Sequence, residues 1–289
     1  MRIAYILSAY KYPEQLARLL GRLRSDAANI FIHVDKKTAS DVYDQMVNGT
    51  KHLSNVYFLR RHRCDWGGFG HVQATLEGIN EIFQRKISFD YAILLTGQDY
   101  PIKSEAQIKE SLLHNEGKSF MEHFPMPSDD WEHGGMGRVE RWHIRIFNRH
   151  FVFPKNDNRW IKRKFPKGFR PYGGSSYWCL SRACIEYIYQ FIQKNPSFVR
   201  FFNYVDVPDE IFFQTILMNS PLAGEIVNDD LRYIEWKDPD SGSPSILEMC
   251  DFEKMVSSSK FFARKFDMRV DAQVLDLIDQ QILKGAVER

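Results

Sequence analysis

"RIAYILS" (2–8) followed by "PEQLARLLGRL" (13–23) decides the fold. The first run is apolar almost throughout, as expected of a strand buried on both faces, and the second has helical spacing. The same alternation returns three times. "NIFIHVD" (29–35), "NVYFL" (55–59) and "DYAILLT" (90–96) read as strands. "ASDVYDQMV" (39–47), "GHVQATLEGINEIFQ" (70–84) and "SEAQIKESLLH" (104–114) read as helices, the last capped by Ser104. Strands alternating with helices predict a parallel sheet with right-handed crossovers, and ligands of such sheets sit beyond the carboxyl ends of the strands.

Beyond about residue 120 the pattern loosens. Residues 121–174 read as loop-rich and basic, with short strands near 144–153. "SSYWCLS" (175–181) reads as a strand, and helices follow at about 182–193 and 208–218. A strand near 230–236, a loop and a helix from about 271 complete the chain. The expectation is one domain, 1–289, with a nucleotide-binding half over about 1–118 and an acceptor-binding and catalytic half over about 119–289.

The 289 residues are 44% hydrophobic and 26% charged, the balance of a globular protein with a sizeable core. A formal net charge of +2 gives no general case for nucleic acid. Basic residues do gather in 138–170: Arg138, Arg141, Arg145, Arg149, Lys155, Arg159, Lys162, Arg163, Lys164, Lys167 and Arg170. Such a run suits an anionic partner or peripheral contact with a membrane, or simply a solvated face. Cys64, Cys179, Cys184 and Cys250 form no C-x-x-C pair and are expected to be reduced thiols in a cytoplasmic protein. The apolar run at the N-terminus is too short for a signal peptide, and no run approaches the roughly 20 residues of a spanning helix.

"DVPDEIFFQTIL" (206–217) crowds Asp206, Asp209 and Glu210 around Pro208. Acids in a first helical turn complement the helix dipole, and one of them can equally be a catalytic base. The dipole would lower the Glu210 pKa and partial burial would raise it; Asp209 is expected to bond first-turn amides, and Asp206 to serve the turn. Asp35 ends a strand, where a carboxylate can accept from a ribose or a base. "CDWGGFG" (64–70) is glycine-rich before a helix but matches neither phosphate-binding fingerprint. "LLTGQDYPIKS" (94–104) puts Gly97, Gln98 and Asp99 past the fourth strand. "DPD" (238–240) has the form of a metal-binding D-x-D but reads as a turn. His62, His71, His114, His123, His133, His143 and His150 show no metal spacing such as H-E-x-x-H, and no G-x-S-x-G marks a nucleophilic serine.

Taken together, "FIHVDKK", "DWGGFGHVQATLEGI", "FDYAILLTGQDYPIKS", "GGSSYWCLSR", "VPDEIFFQTIL" and "FARKFD" resemble the core-2/I-branching β-1,6-N-acetylglucosaminyltransferases, a family that includes peptide O-xylosyltransferases. The resemblance implies a GT-A fold, a single αβα unit with a mostly parallel central sheet. It implies an inverting transfer from a UDP-sugar, UDP-GlcNAc first, with xylose, galactose or glucose as alternatives. The base of the family's S-P-D-E run falls on Glu210, with Val207 in place of the Ser. The uridine-binding Asp falls on Asp35; Asp99, by its own place just past the fourth strand, is a further donor-site candidate. The diphosphate-binding cations fall on Arg232 and Lys265. Acceptor contacts fall on Arg138 and Arg141, with Trp142 beside them. The family needs no metal, so no cofactor is expected. The implied partners are a UDP-sugar and a glycan or lipid-linked glycan of surface polysaccharide synthesis; the net charge speaks against nucleic acid, and the basic 138–170 region would allow a cytoplasmic enzyme peripheral contact with the inner face of a membrane. Two other readings stay open: a catalytically silent glycan- or nucleotide-binding protein, and a glycoside hydrolase with Asp99 as a second acid opposite Glu210.

Overall fold

The computed structural model describes residues 1–146, 149–155, 161–238 and 241–287. Strands β1 (Ile3–Ala9), β2 (Ala28–Val34), β3 (Val56–Phe58) and β4 (Tyr91–Thr96) alternate with helices α1 (Pro13–Leu23), α2 (Ser40–Thr50) and α3 (Gly70–Gln84). Then come β5 (Asp99–Pro101), α4 (Glu105–His114), β6 (Ser119–Met121), β7 (Phe124–Pro125) and α5 (Gly137–Glu140). The hairpin β8 (Trp142–Ile146) and β9 (Arg149–Phe153) precedes β10 (Tyr172–Gly173), β11 (Trp178–Ser181), α6 (Arg182–Lys194), α7 (Pro196–Phe202) and α8 (Phe212–Met218). The chain closes with β12 (Ile226–Val227), β13 (Arg232–Ile234), α9 (Phe252–Ser257), β14 (Phe262–Arg264) and α10 (Gln273–Val287).

The central sheet has seven strands in the order β12-β6-β11-β4-β1-β2-β3. Strand β11 runs antiparallel to both neighbours, and the other pairings are parallel. Strand β1 shows why its run is apolar on both sides. Ile3, Tyr5 and Leu7 pack with Leu16, Leu19 and Leu20 of α1 in one core. Ala4 and Ile6 pack with Val72, Ile79 and Ile82 of α3 and with Ile185 and Ile188 of α6 in the other. Each fully buried Ile or Leu contributes about 1.5–3 kcal/mol, so both faces are strongly specified. The expected αβα layering is present. Strands β6, β11 and β12 come from beyond residue 118 and complete the same sheet. Ser104 caps α4, its hydroxyl accepting from the Gln107 amide at 3.2 Å.

Two departures from expectation shape the site. "DYP" (99–101) and "FAR" (262–264) are strands of a second sheet, ordered β13-β14-β5, which lays Arg264 opposite Asp99. The expected helix 208–218 is broken: Pro208–Glu210 is a separate 3₁₀ turn, Ile211 leaves helical geometry, and α8 begins at Phe212. Among the described residues, no helix is long and apolar enough to cross a membrane. The four cysteines are unpaired.

Candidate active site

Because β1, β2 and β4 are parallel, their carboxyl ends share one edge, and chemistry collects there. Asp35 follows β2. Its Oδ1 accepts from the amides of Lys37 at 2.9 Å and Cys64 at 3.3 Å, and the Lys37 ammonium lies 3.7 Å from Oδ2. Exposed Tyr10, just past β1, donates through its hydroxyl to Gln98 Oε1 at 3.2 Å.

The turn that carries Glu210 is held from several directions. Val207 adopts φ 45°, ψ 56°, a left-handed conformation rare for a β-branched residue and one that costs of order 1–3 kcal/mol. Its amide donates to Gly67 O at 2.9 Å, the Asp206 amide to Arg138 O at 3.0 Å, and the Gly174 amide to Glu210 O at 3.0 Å. Gly67 sits at φ +66°, and a Cβ there would lie 2.7 Å from the Arg145 guanidinium. A Cβ at Gly174 would fall 1.9 Å from Glu122 O. In this structure, then, the glycine-rich "DWGGFG" braces the turn.

The Glu210 carboxylate pairs with Arg138 Nη1 at 2.7 Å, and both side chains are about 30% exposed, at 31% and 28%. Burial pushes the Glu210 pKa up to about 7; the Asp209 charge adds to that, and Arg138 opposes it. The expected lowering by a helix dipole does not decide the outcome, because Glu210 precedes α8 in its own turn. Arg138 also stacks on Trp131, 3.8 Å from the ring centre. Removing Arg138 takes away the cation that favours the Glu210 carboxylate. Arg138→Ala should therefore move the acidic limb of the kcat–pH profile to higher pH. A profile that stays in place while only the acceptor KM rises would make Arg138 an acceptor contact alone.

Asp209 does not bond first-turn amides as expected. Its Oδ2 accepts from the Ser176 hydroxyl at 2.8 Å, while its buried Oδ1 has no hydrogen-bond partner. Asp209 and Ser176 line a cavity of about 60 Å³ with Ser8, Leu94, Thr96 and Tyr177. Tyr177 links this cavity to a cationic group. Arg264 lies 4.4 Å and Arg232 5.7 Å from its ring centre. Burial pulls the Lys265 pKa below its ordinary value, and the charges of Arg264 and Lys11 act the same way. Crowded cations of this kind make a place for an anion. The Lys265 ammonium donates to Ser243 Oγ at 3.0 Å.

The other expected residues are more internal. Arg232 is buried, donating to Leu94 O at 2.7 Å and Asp230 O at 3.1 Å, and it lies 4.6 Å from the Phe262 ring centre. Asp99 is fully buried: its oxygens accept from the Thr96 amide at 2.8 Å and hydroxyl at 3.0 Å, and Arg264 Nε is 3.2 Å away. It supports the turn after β4 and holds Arg264, so it does not supply the second exposed acid a glycoside hydrolase needs. Arg141 directly follows α5, and its carbonyl accepts from Arg163 at 3.4 Å. Trp142 is 38% exposed, edge-on to Tyr204 and covered by Arg163 at 4.7 Å.

The basic region is partly turned inward. Arg138 serves Glu210, Arg145 serves Asp206, Lys162 pairs with Glu140 at 2.8 Å, and Arg163 donates to main-chain carbonyls. Arg159 lies outside the described residues, as do Pro239 and Asp240 of the "DPD" turn. Sequence reading missed Arg264, Lys11, Ser176 and Tyr177. "FARKFD" did place Arg264 beside Lys265, but its role depends on a strand pairing across more than 150 positions.

A family model described as Core-2/I-Branching enzyme matches residues 3–256. Xylosyltransferase 2 of Rattus norvegicus is 28% identical over 301 residues, covering 96% of this chain and 33% of that protein. Xylosyltransferase 2 of Homo sapiens is 27% identical, covering 96% and 33%. Xylosyltransferase 1 of Rattus norvegicus is 24% identical over 304 residues, covering 98% and 35%. The chain thus spans about a third of the length of these curated relatives. A match that runs over most of the chain takes in the glycine-rich loop, the strand ends and the Glu210 turn alike, and on it the chain belongs to the Core-2/I-Branching enzyme family.

Proposed function

We propose that this chain is an inverting glycosyltransferase, moving a sugar from a UDP-sugar to a hydroxyl of a glycan or peptide acceptor with Glu210 as general base. The observation that carries the reading is a carboxylate 31% exposed and fixed at 2.7 Å by Arg138 on a strained turn, its pKa pushed up to about 7 by burial. A base poised near the working pH is both ionised often enough and basic enough to accept a proton in the transition state. In the reaction, the acceptor oxygen forms a bond to the anomeric carbon from the face opposite UDP. The bond from that carbon to the β-phosphate oxygen breaks, UDP leaves with the electron pair, and the hydroxyl proton passes to Glu210. Lys265 with Arg264 and Lys11 would balance the charge on departing UDP in place of a metal. Arg232 and Asp99 would support that group from beneath, and Arg141 and Trp142 would meet the acceptor.

UDP-GlcNAc is the donor expected from the sequence, and the names of the relatives support UDP-xylose equally. A transfer and hydrolysis screen with both, and with UDP-galactose and UDP-glucose, tests the reading; no UDP release from any of them, with UDP bound, would favour a silent binding protein. Asp35→Ala should weaken UDP binding by about 1–3 kcal/mol in calorimetry, the cost of a lost charge-assisted acceptor. Equal affinity in the two proteins would place the nucleoside elsewhere.

A further inference from the structure

We infer that the β8–β9 hairpin, together with Asp206, forms a site for a divalent transition-metal ion, zinc being the ion its donors suit best. His143 stands on β8 and His150 on β9, two residues off direct register and so on the same face, since His150 faces Arg145 and His143 faces Val152. Their rings stack with centres 5.2 Å apart. His143 Nε2 lies 2.9 Å from Gly137 O. A carbonyl can only accept, so Nε2 carries the hydrogen and Nδ1 presents a lone pair. That Nδ1 is 3.0 Å from His150 Nε2 and 3.8 Å from Asp206 Oδ1, and His150 Nε2 is 4.0 Å from the same oxygen.

These three separations fix a triangle, and the point equidistant from its corners lies about 2.1 Å from each donor atom. Zinc binds imidazole nitrogen at about 2.0–2.1 Å and carboxylate oxygen at about 2.0–2.2 Å. The second shell is also of the kind that orients metal ligands. The far nitrogen of His143 is held by a carbonyl, and Asp206 is fixed through its amide by Arg138 O and through Oδ1 by Arg145. The His150 side chain is 38% exposed, so solvent reaches the site and water can serve as a fourth ligand. Two imidazoles and one carboxylate suit zinc better than magnesium or calcium, which prefer oxygen. Arg145 is a cation beside the site, so the affinity is expected to be micromolar rather than tighter.

The H-x₆-H spacing and an Asp far along the chain match no familiar metal signature; only closure of the hairpin brings the three together. The ion would tie the hairpin to Asp206, four positions before the proposed base, so its part is structural. The inference does not depend on the chemistry proposed for Glu210.

The test uses the full chain, stripped of metal with a chelator and then titrated with zinc chloride by calorimetry and with cobalt chloride by visible absorption. Expected are one site per chain, a micromolar Kd and the absorption bands of four-coordinate cobalt without thiolate charge transfer. The His150 side chain is 38% exposed, so His150→Ala should leave the fold intact and weaken binding at least about tenfold. No saturable binding would overturn the site, as would binding that survives His150→Ala or shows a thiolate band, which would place the ion at a cysteine.

Discussion

Glu210→Gln should lower turnover roughly 10²–10⁴-fold while UDP binds as before, the usual worth of a positioned general base. Glutamine keeps the shape of the side chain and an oxygen for Arg138 Nη1, so the turn should survive. What is lost is the ability to take a proton. The pH dependence follows with a definite sign. Only the carboxylate form is a base, and burial pushes the Glu210 pKa up to about 7. Turnover of the native enzyme should therefore rise as pH passes upward through about 7, and the residual activity of Glu210→Gln should lack that limb. Unchanged turnover in the variant would remove Glu210 from the chemistry.

The second large effect is expected at the cationic group. Lys265→Ala should reduce kcat by about 10²–10³-fold, comparable to removing one preorganised donor from a developing anion. The ammonium is crowded by Arg264 and Lys11, and phosphate oxygens would relieve that repulsion. Lys265 is the better variant than Arg232, whose guanidinium carries two buried main-chain hydrogen bonds and whose loss would also weaken the fold. If these cations stabilise the leaving group, transfer continues in excess EDTA. Activity abolished by EDTA and restored by manganese would sink this account. A fall in melting temperature alone would not, because an ion at the hairpin can be stripped without touching the diphosphate.

Local periodicity made the first half of the fold legible. The helices at 13–23 and 70–84 lie within the predicted bounds because each buries a stripe at helical spacing against a strand that is apolar on both faces. Less legible were elements defined by distant partners. Three residues such as "DYP" or "FAR" carry no periodicity, and only the β5–β14 pairing makes them strands. Helices α7 and α9 were missed for a related reason: at seven and six residues they are too short to show a repeat. The same division runs through the site. Glu210 and Asp35 announce themselves by sitting at a helix approach and a strand end. Asp206 reads as a turn residue, because its partners Arg145, His143 and His150 reach it through the hairpin.

The ties around the Glu210 turn also bear on how activity would arise as the chain folds. Asp206, Asp209 and Glu210 take side-chain partners 61, 33 and 72 residues away. Closing such loops costs entropy before any contact repays it, and long-range closures slow folding. The early strands and helices can form among near neighbours, but the proposed base is oriented only when segments from both halves have arrived. Helical signal on refolding would then precede competence: the chain would look native before it could catalyse, and recovery of turnover would time the last closures of the fold.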